Sequence, residues 1–153
     1  MIGLEHWLMY IKVSSMFNDV ITVYNHYVDK INHKEYWNRK VLDHCMWRNK
    51  VIKTVANNVA QIDTIVSLTL LNRSGYLCPK EYAKLSREEA LNYFTLNAEN
   101  NLDVIVYGEV SKELSDKYTL SDLRKEFDKV VTIAEVSDNT MVDSLKNWKV
   151  VAK

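Results

Sequence analysis

The chain has 153 residues, of which 47% are apolar and 26% charged, and its 20 basic and 20 acidic residues give a net charge of zero. This composition predicts one globular domain over residues 1–153 and argues against long disordered linkers. Only three Gly and one Pro are present. That scarcity argues against a sheet-rich fold, because turns between strands use these residues.

Two further features of the sequence bear on where the protein works. There is no 18-residue apolar run, and residues 1–7 lack the basic region and apolar core of a signal peptide. We therefore expect no membrane association. Cys45 and Cys78 would then be free thiols in a reducing compartment, so we expect a cytoplasmic protein.

The first predicted element is a helix over residues 4–31, in which apolar residues recur at spacings of three and four. The second is a long amphipathic helix, or two helices in line, over residues 32–73. Asn32 with Glu35 forms a possible capping box at its start, and Ser74-Gly75 provides a stop signal. Its apolar positions are Trp37, Val41, Cys45, Ile52, Val55, Val59, Ile62 and Val66. A short joint between the two elements predicts an antiparallel helical hairpin over residues 1–74.

Shorter helices are predicted over residues 75–153. Ser86 with Glu89, and Thr119 with Asp122, have the spacing of helix N-caps and capping boxes. The sequence thus predicts an all-α helical bundle built on the hairpin. The alternative is an α+β fold with a small C-terminal sheet, in which strands at 102–107, 129–135 and 148–152 lie beside the helical hairpin.

Residues 65–71 are apolar nearly all round a helix. A helix of this kind is buried on several sides, in the domain centre or at a subunit contact. We therefore expect a homo-oligomer.

His44 and Arg48 interrupt the apolar side of the predicted long helix, four residues apart. A buried arginine stays charged and requires partners. The pair is either a structural polar network with acids of another helix or part of an uncovered binding site. We favour the hypothesis of a structural network.

Basic residues are concentrated in residues 30–53, which hold seven Lys or Arg against two acids. Residues 1–80 carry a net charge of +4 and residues 81–153 a net charge of −4. Such a cluster is typical of a solvated face or of a docking surface for an acidic partner. Its candidate binding residues are Tyr36, Trp37, Lys40, His44, Trp47, Arg48, Lys50 and Lys53. Bases could stack on the aromatic rings and phosphates could pair with the lysines.

The segment from Arg39 to His44 resembles the Arg-x4-6-His pattern of HEPN-domain ribonucleases, which are small all-helical bundles. This resemblance covers six residues, and Lys40 stands where that family commonly has a polar residue. It implies that His44 would transfer protons during attack by an RNA 2′-hydroxyl and that Arg39 would steady the phosphate.

Strong enzyme signatures are absent from the sequence: there is no Gly-rich phosphate loop, Cys-x-x-Cys pair, His-Glu-x-x-His or Gly-x-Ser-x-Gly. The four histidines show no metal-ligand spacing, so we expect no metal and no cofactor. Four Trp and nine Tyr offer many interface anchors. We therefore expect a small non-enzymatic protein that binds and regulates or inhibits another macromolecule, most readily a protein. Its residue usage is compatible with a phage, a virus or an AT-rich bacterium as the source. The alternatives are a nucleic-acid-binding protein using residues 30–53 and a HEPN-like, metal-independent ribonuclease.

Overall fold

A computed structural model describes residues 16–153, and its main feature is a closed antiparallel β-barrel. The barrel order is β1-β2-β3-β6-β5-β4, and β4 pairs with β1 to close it. The strands are β1 (Asp19–Val28), β2 (Glu35–Ala56), β3 (Val59–Leu71), β4 (Val104–Tyr107), β5 (Val130–Asn139) and β6 (Asn147–Ala152).

The predicted all-α bundle is therefore wrong. Residues 19–28 form strand β1 rather than helix, and residues 4–15 of the first predicted helix lie outside the described residues. The predicted long helix over residues 32–73 is an antiparallel pair of strands. Nine of the sixteen residues 51–66 are β-branched, and such side chains pack well on a pleated sheet and lose rotamer freedom in a helix.

The turn between β2 and β3 explains the absence of glycine there. Asn57 and Asn58 both have positive φ, at 51° and 64°. A two-residue hairpin turn of the type that matches strand twist requires positive φ at both positions, and Asn adopts it more readily than most residues. Asn32, the expected N-cap, instead lies in the β1–β2 turn, where its side-chain oxygen accepts a hydrogen bond from the Lys34 amide at 2.9 Å.

Within residues 17–153, three short helices occur: α1 (Pro79–Ala83), α2 (Arg87–Ala90) and α3 (Leu120–Glu126). The predicted caps of the last two are confirmed. Ser86 accepts a hydrogen bond from the Glu89 amide, and Thr119 forms a complete capping box with Asp122. The strands of the alternative α+β prediction are also present, as β4, β5 and β6, but they pair with β1 and β3 in one barrel rather than lying beside a helical hairpin.

The barrel interior holds the main core. Its fully buried side chains include Ile21, Leu68, Leu70, Ile105 and Ile133, and the rings of Phe94 and Trp148 pack with them. The apolar run over residues 65–71 is explained by this core, because Val66, Leu68 and Leu70 face the interior. Helix α3 covers the outside of the barrel, where Leu123 packs with Tyr24 of β1.

Strand β2 has 22 residues, far more than the usual three to ten or so. Its first half pairs with β1, and its second half pairs with β3. The change occurs at Cys45, which is opposite both Asp19 and Leu70. Just before it the pairing with β1 shifts by one residue, and His44 has φ +52°, as in a β-bulge that bends the strand.

Candidate functional site

The most exposed part of the described structure is the end of the β2–β3 hairpin, here called the arm (residues 50–65). Seven residue pairs, from Lys50 opposite Ile65 to Ala56 opposite Val59, form its ladder. Pairing of β3 with β6 stops at Val66, so in residues 16–153 neither arm strand has a third strand beside it. At ~3.3 Å per residue the arm projects by roughly 20 Å.

The arm carries aliphatic side chains in solvent. Val51, Val55, Val59 and Ile62 are each between 64% and 68% exposed. Val51, Val55 and Ile62 share the face that continues the barrel interior, because side chains alternate along a strand and Val66 and Leu68 of the same register are buried. Apart from Lys53 and Thr64, this face has the apolar residues of a core strand, yet in the described structure its two valines and Ile62 are exposed. A group of exposed apolar side chains of this kind usually marks an interaction site.

Charge is arranged on the same segment. Lys53 lies opposite Ile62, on the face that continues the barrel interior. Lys50 and Ile52 lie on the other face, where Ile52 is opposite Asp63. Arg48 is exposed at the base of the arm. Residues 48–65 thus carry three basic residues and one acid. The result is a basic and aliphatic surface with no aromatic ring.

The predicted binding residues all lie on β2, but the structure spreads them along its length. Tyr36 and Lys50 are 14 positions apart, about 45 Å along a strand at ~3.3 Å per residue. The Tyr36 ring is covered by the Arg87 guanidinium at 3.6 Å. Trp37 packs against His26 and donates its ring N–H to the Leu102 carbonyl at 3.3 Å. These two rings serve local packing rather than a shared surface with the lysines.

The remaining aromatic of the set, Trp47, lies at the base of the arm. Its ring packs edge-on against Tyr107 with centroids 5.4 Å apart, and its backbone amide donates to Asp19 at 2.9 Å. The Lys129 ammonium lies 4.5 Å from the centre of the Tyr107 ring. This cluster fixes the point at which the hairpin leaves the barrel.

The β-bulge gathers a second group of polar side chains. His44 Nδ1 lies 2.9 Å from Asp43 Oδ1, and Arg73 Nη1 donates to the same oxygen at 3.0 Å. Arg73 also donates to the carbonyls of Asp43, His44 and Leu71. The His44 hydrogen bond and the Arg73 charge lower the pKa of the Asp43 carboxyl. Arg73 thereby ties the bulge to the end of β3.

A cleft of about 490 Å³ lies beside this group and is lined by Lys40, Phe94 and Ser74 among others. Within residues 16–153, no hydrogen bond joins His44 to a hydroxyl or thiol. Cys45 is close in sequence, but burial raises the pKa of its thiol to about 12, so it stays protonated. Within the described residues, the bulge group thus consists of a histidine oriented by Asp43, with Arg73 bonded to the same carboxylate.

The helical pair predicted for His44 and Arg48 does not form. Both side chains are exposed, His44 at the bulge and Arg48 on the strand opposite Ser67. Arg39 precedes the bulge on β2 and donates to the Val110 carbonyl at 2.9 Å on the outside of the barrel. Arg39 and His44 therefore lie on a bent strand, whereas the HEPN resemblance implied a helical bundle.

The sequence did not indicate a buried polar group in which Asn25 bonds to Asp103. The Asp103 carboxylate accepts from the His26 amide at 2.9 Å, the Asn25 side chain at 2.9 Å and the Asn100 side chain at 3.1 Å. Asn25 also bonds both ways with the Thr95 backbone. The bonds of Asn25 and of the His26 amide join β1 to the loop before β4, and the Asn100 bond lies within that loop. This group, the structural tie, links β1 to the loop before β4. The only indications in the sequence were single polar residues beside apolar ones, Asn25 within β1 and Asp103 directly before β4.

Residues 16–153 contain no cluster of three or more His, Cys, Asp or Glu placed to hold a metal ion. None of their helices has the length and apolarity needed to cross a membrane.

The fold and surface together define a small antiparallel β-barrel with a projecting two-stranded arm. Residues 16–153 match a family of unknown function (DUF6751), and the chain belongs to that family. No curated protein and no solved structure matches the chain.

Proposed function

We propose that this protein is a non-enzymatic binding protein whose arm docks on a protein partner. The observation that carries the proposal is the exposure of Val51, Val55, Val59 and Ile62 on a hairpin that projects beyond the barrel. An isolated two-stranded hairpin is marginally stable in water, and apolar side chains gain about 25 cal/mol per Å² on burial. A partner that covers the arm would supply both stabilisation and affinity.

A protein partner fits the arm better than a nucleic acid does. The arm contains no aromatic residue, and stacking on aromatic rings is what holds unpaired bases. Its two lysines, Lys50 and Lys53, are offset in part by Asp63. Nucleic-acid affinity comes largely from many phosphate contacts, whereas protein interfaces combine an apolar centre with a polar rim. The arm has the second pattern.

Photo-cross-linking in the native host tests this proposal. A benzophenone side chain is placed at Thr54 or Gln61, which are opposite each other on the arm. A matched control carries it at Lys80, an exposed position on α1. We expect protein adducts from the two arm positions that are absent from the control and resist nuclease. Adducts that nuclease removes would instead support nucleic-acid binding, and identical adducts from all three positions would contradict the role of the arm.

A further inference from the structure

The arm has a counterpart at the other end of strand β3. Leu71, the last residue of β3, pairs with Asn147 of β6, and the Asn72 amide donates to the Lys146 carbonyl at 2.9 Å. The turn between β5 and β6 is therefore held at the end of β3 that lies away from the arm. We call residues 135–146, the end of β5 and this turn, the acidic turn.

The acidic turn, like the arm, carries exposed apolar side chains. Met141 is 93% exposed, and Val142 and Leu145 are each nearly half exposed. Eight of the fifteen large exposed apolar side chains in residues 16–153 lie on the arm or on this turn. Methionine adapts its shape to irregular partners, which suits a docking surface.

The two surfaces carry opposite charge. The acidic turn holds Glu135, Asp138 and Asp143 against Lys146, a net charge of −2. The base and length of the arm, residues 48–65, hold Arg48, Lys50 and Lys53 against Asp63, a net charge of +2. All three acids of the turn are exposed. Apolar surfaces with complementary charged rims are what specific protein contacts require.

We propose that the arm of one copy of this chain binds the acidic turn of the next copy. The inference rests on the proposed function, since it names the protein that the arm binds. The two surfaces lie at opposite ends of β3, so a chain cannot close the contact on itself. A contact between unlike surfaces is heterologous, and it generates a ring if the rotation closes or a filament if it does not.

Charge reversal on each side tests the contact by sedimentation velocity and light scattering. The arm variant is K50E/K53E, the turn variant is D138K/D143K, and the swapped variant carries all four changes. The control is K34E/K80E, two exposed lysines outside both surfaces. Wild type and control should form dimers or larger species as concentration rises, because two copies can also bind each other reciprocally in a closed pair. The arm and turn variants should each sediment as 17.9 kDa monomers.

Complementation gives the sharper result. The basic arm of the turn variant fits the acidic turn of the arm variant, and the reversed pair also match. Mixing the two variants should therefore restore assembly, and the swapped variant should assemble alone. Circular dichroism melts establish that each variant is folded. If one double variant does not fold, the other double variant still tests the contact against the control.

Three results would overturn the inference. A wild type that stays monomeric at all concentrations excludes a second copy as partner. A turn variant that assembles like wild type indicates contacts between arms, and an arm variant that does so indicates contacts between turns. None of these results bears on cross-links from Thr54 and Gln61 to a different protein, so the proposed function can survive the failure of this inference.

Discussion

Leu68 and Ile62 lie on the same face of strand β3, yet Leu68 is fully buried in the barrel and Ile62 is 68% exposed on the arm. Six residues thus separate a core position from a surface position on a single strand. The difference arises because β6 and the interior cover β3 only from Val66 onward.

This relationship predicts opposite effects for two similar changes. Leu68→Ala should lower the free energy of unfolding by about 2–5 kcal/mol, because it leaves a cavity in a packed core. Ile62→Ala should change it by less than about 0.5 kcal/mol but should weaken partner binding. Urea denaturation of the two variants measures the free energy of unfolding. A large loss of stability in Ile62→Ala would show that the arm is packed against the barrel.

The bulge gives a second contrast. Arg48, expected to be buried, is exposed, so Arg48→Ala should change the unfolding free energy by less than about 0.5 kcal/mol. Arg73 bonds to Asp43 and to three backbone carbonyls, so Arg73→Ala should cost about 1–2 kcal/mol. Thermal melts of the two variants, run side by side, compare them. Equal melting temperatures would contradict the role of Arg73 in holding the bulge.

Asp103 should be a main polar determinant of stability. Asp103→Ala leaves the buried donors of Asn25 and the His26 amide without their acceptor, at a cost of about 2–3 kcal/mol. The same change at exposed Asp116 is the control and should have little effect. Urea denaturation at neutral pH measures both. A loss in Asp103→Ala no larger than that of the control would contradict the structural tie.

The pH dependence of the Asp103 contribution has a defined sign. Burial raises the pKa of its carboxyl above the ordinary 3.8, so the folded state holds the proton more tightly than the unfolded state. Its contribution is therefore greatest below pH 3.8 and declines as pH rises to the folded pKa. The unfolding free energy of wild type minus that of Asp103→Asn should decrease over this range. An increase would mean that the hydrogen bonds to the carboxylate outweigh burial.

Of the three capping signals in the sequence, two mark helices and one does not. The caps at Ser86 and Thr119 are present, whereas Asn32 lies in the β1–β2 turn and Glu35 begins strand β2. The long helix failed because apolar residues four apart, such as Val51 and Val55, fit the face of a strand as well as that of a helix. The density of β-branched residues and the pair Asn57-Asn58 were the signals that favoured a hairpin.

The candidate site was predicted only in part. Lys50 and Lys53 are on the arm, whereas Tyr36 and Trp37 serve packing at the other end of β2. Sequence alone could not separate these roles, because side chains alternate between the two faces of a strand in the same way in the arm and in the barrel. Exposure of Val55 and Ile62 follows from where β6 ends, and that is a property of the tertiary pairing.

We propose that the arm is an accessible hairpin that a protein partner covers. Hydrogen–deuterium exchange of the arm amides can test this. The exchange is measured first on the dilute protein alone and then with the cross-linked partner present, or on concentrated protein if that partner is another copy. Alone, residues 50–65 should exchange much faster than the barrel strands, because a two-stranded ladder opens locally. On binding, protection should rise in the arm and leave the barrel nearly unchanged. Arm amides as well protected as those of the barrel in the free protein, or protection that rises only outside the arm on binding, would show that the arm is not the surface that the partner covers.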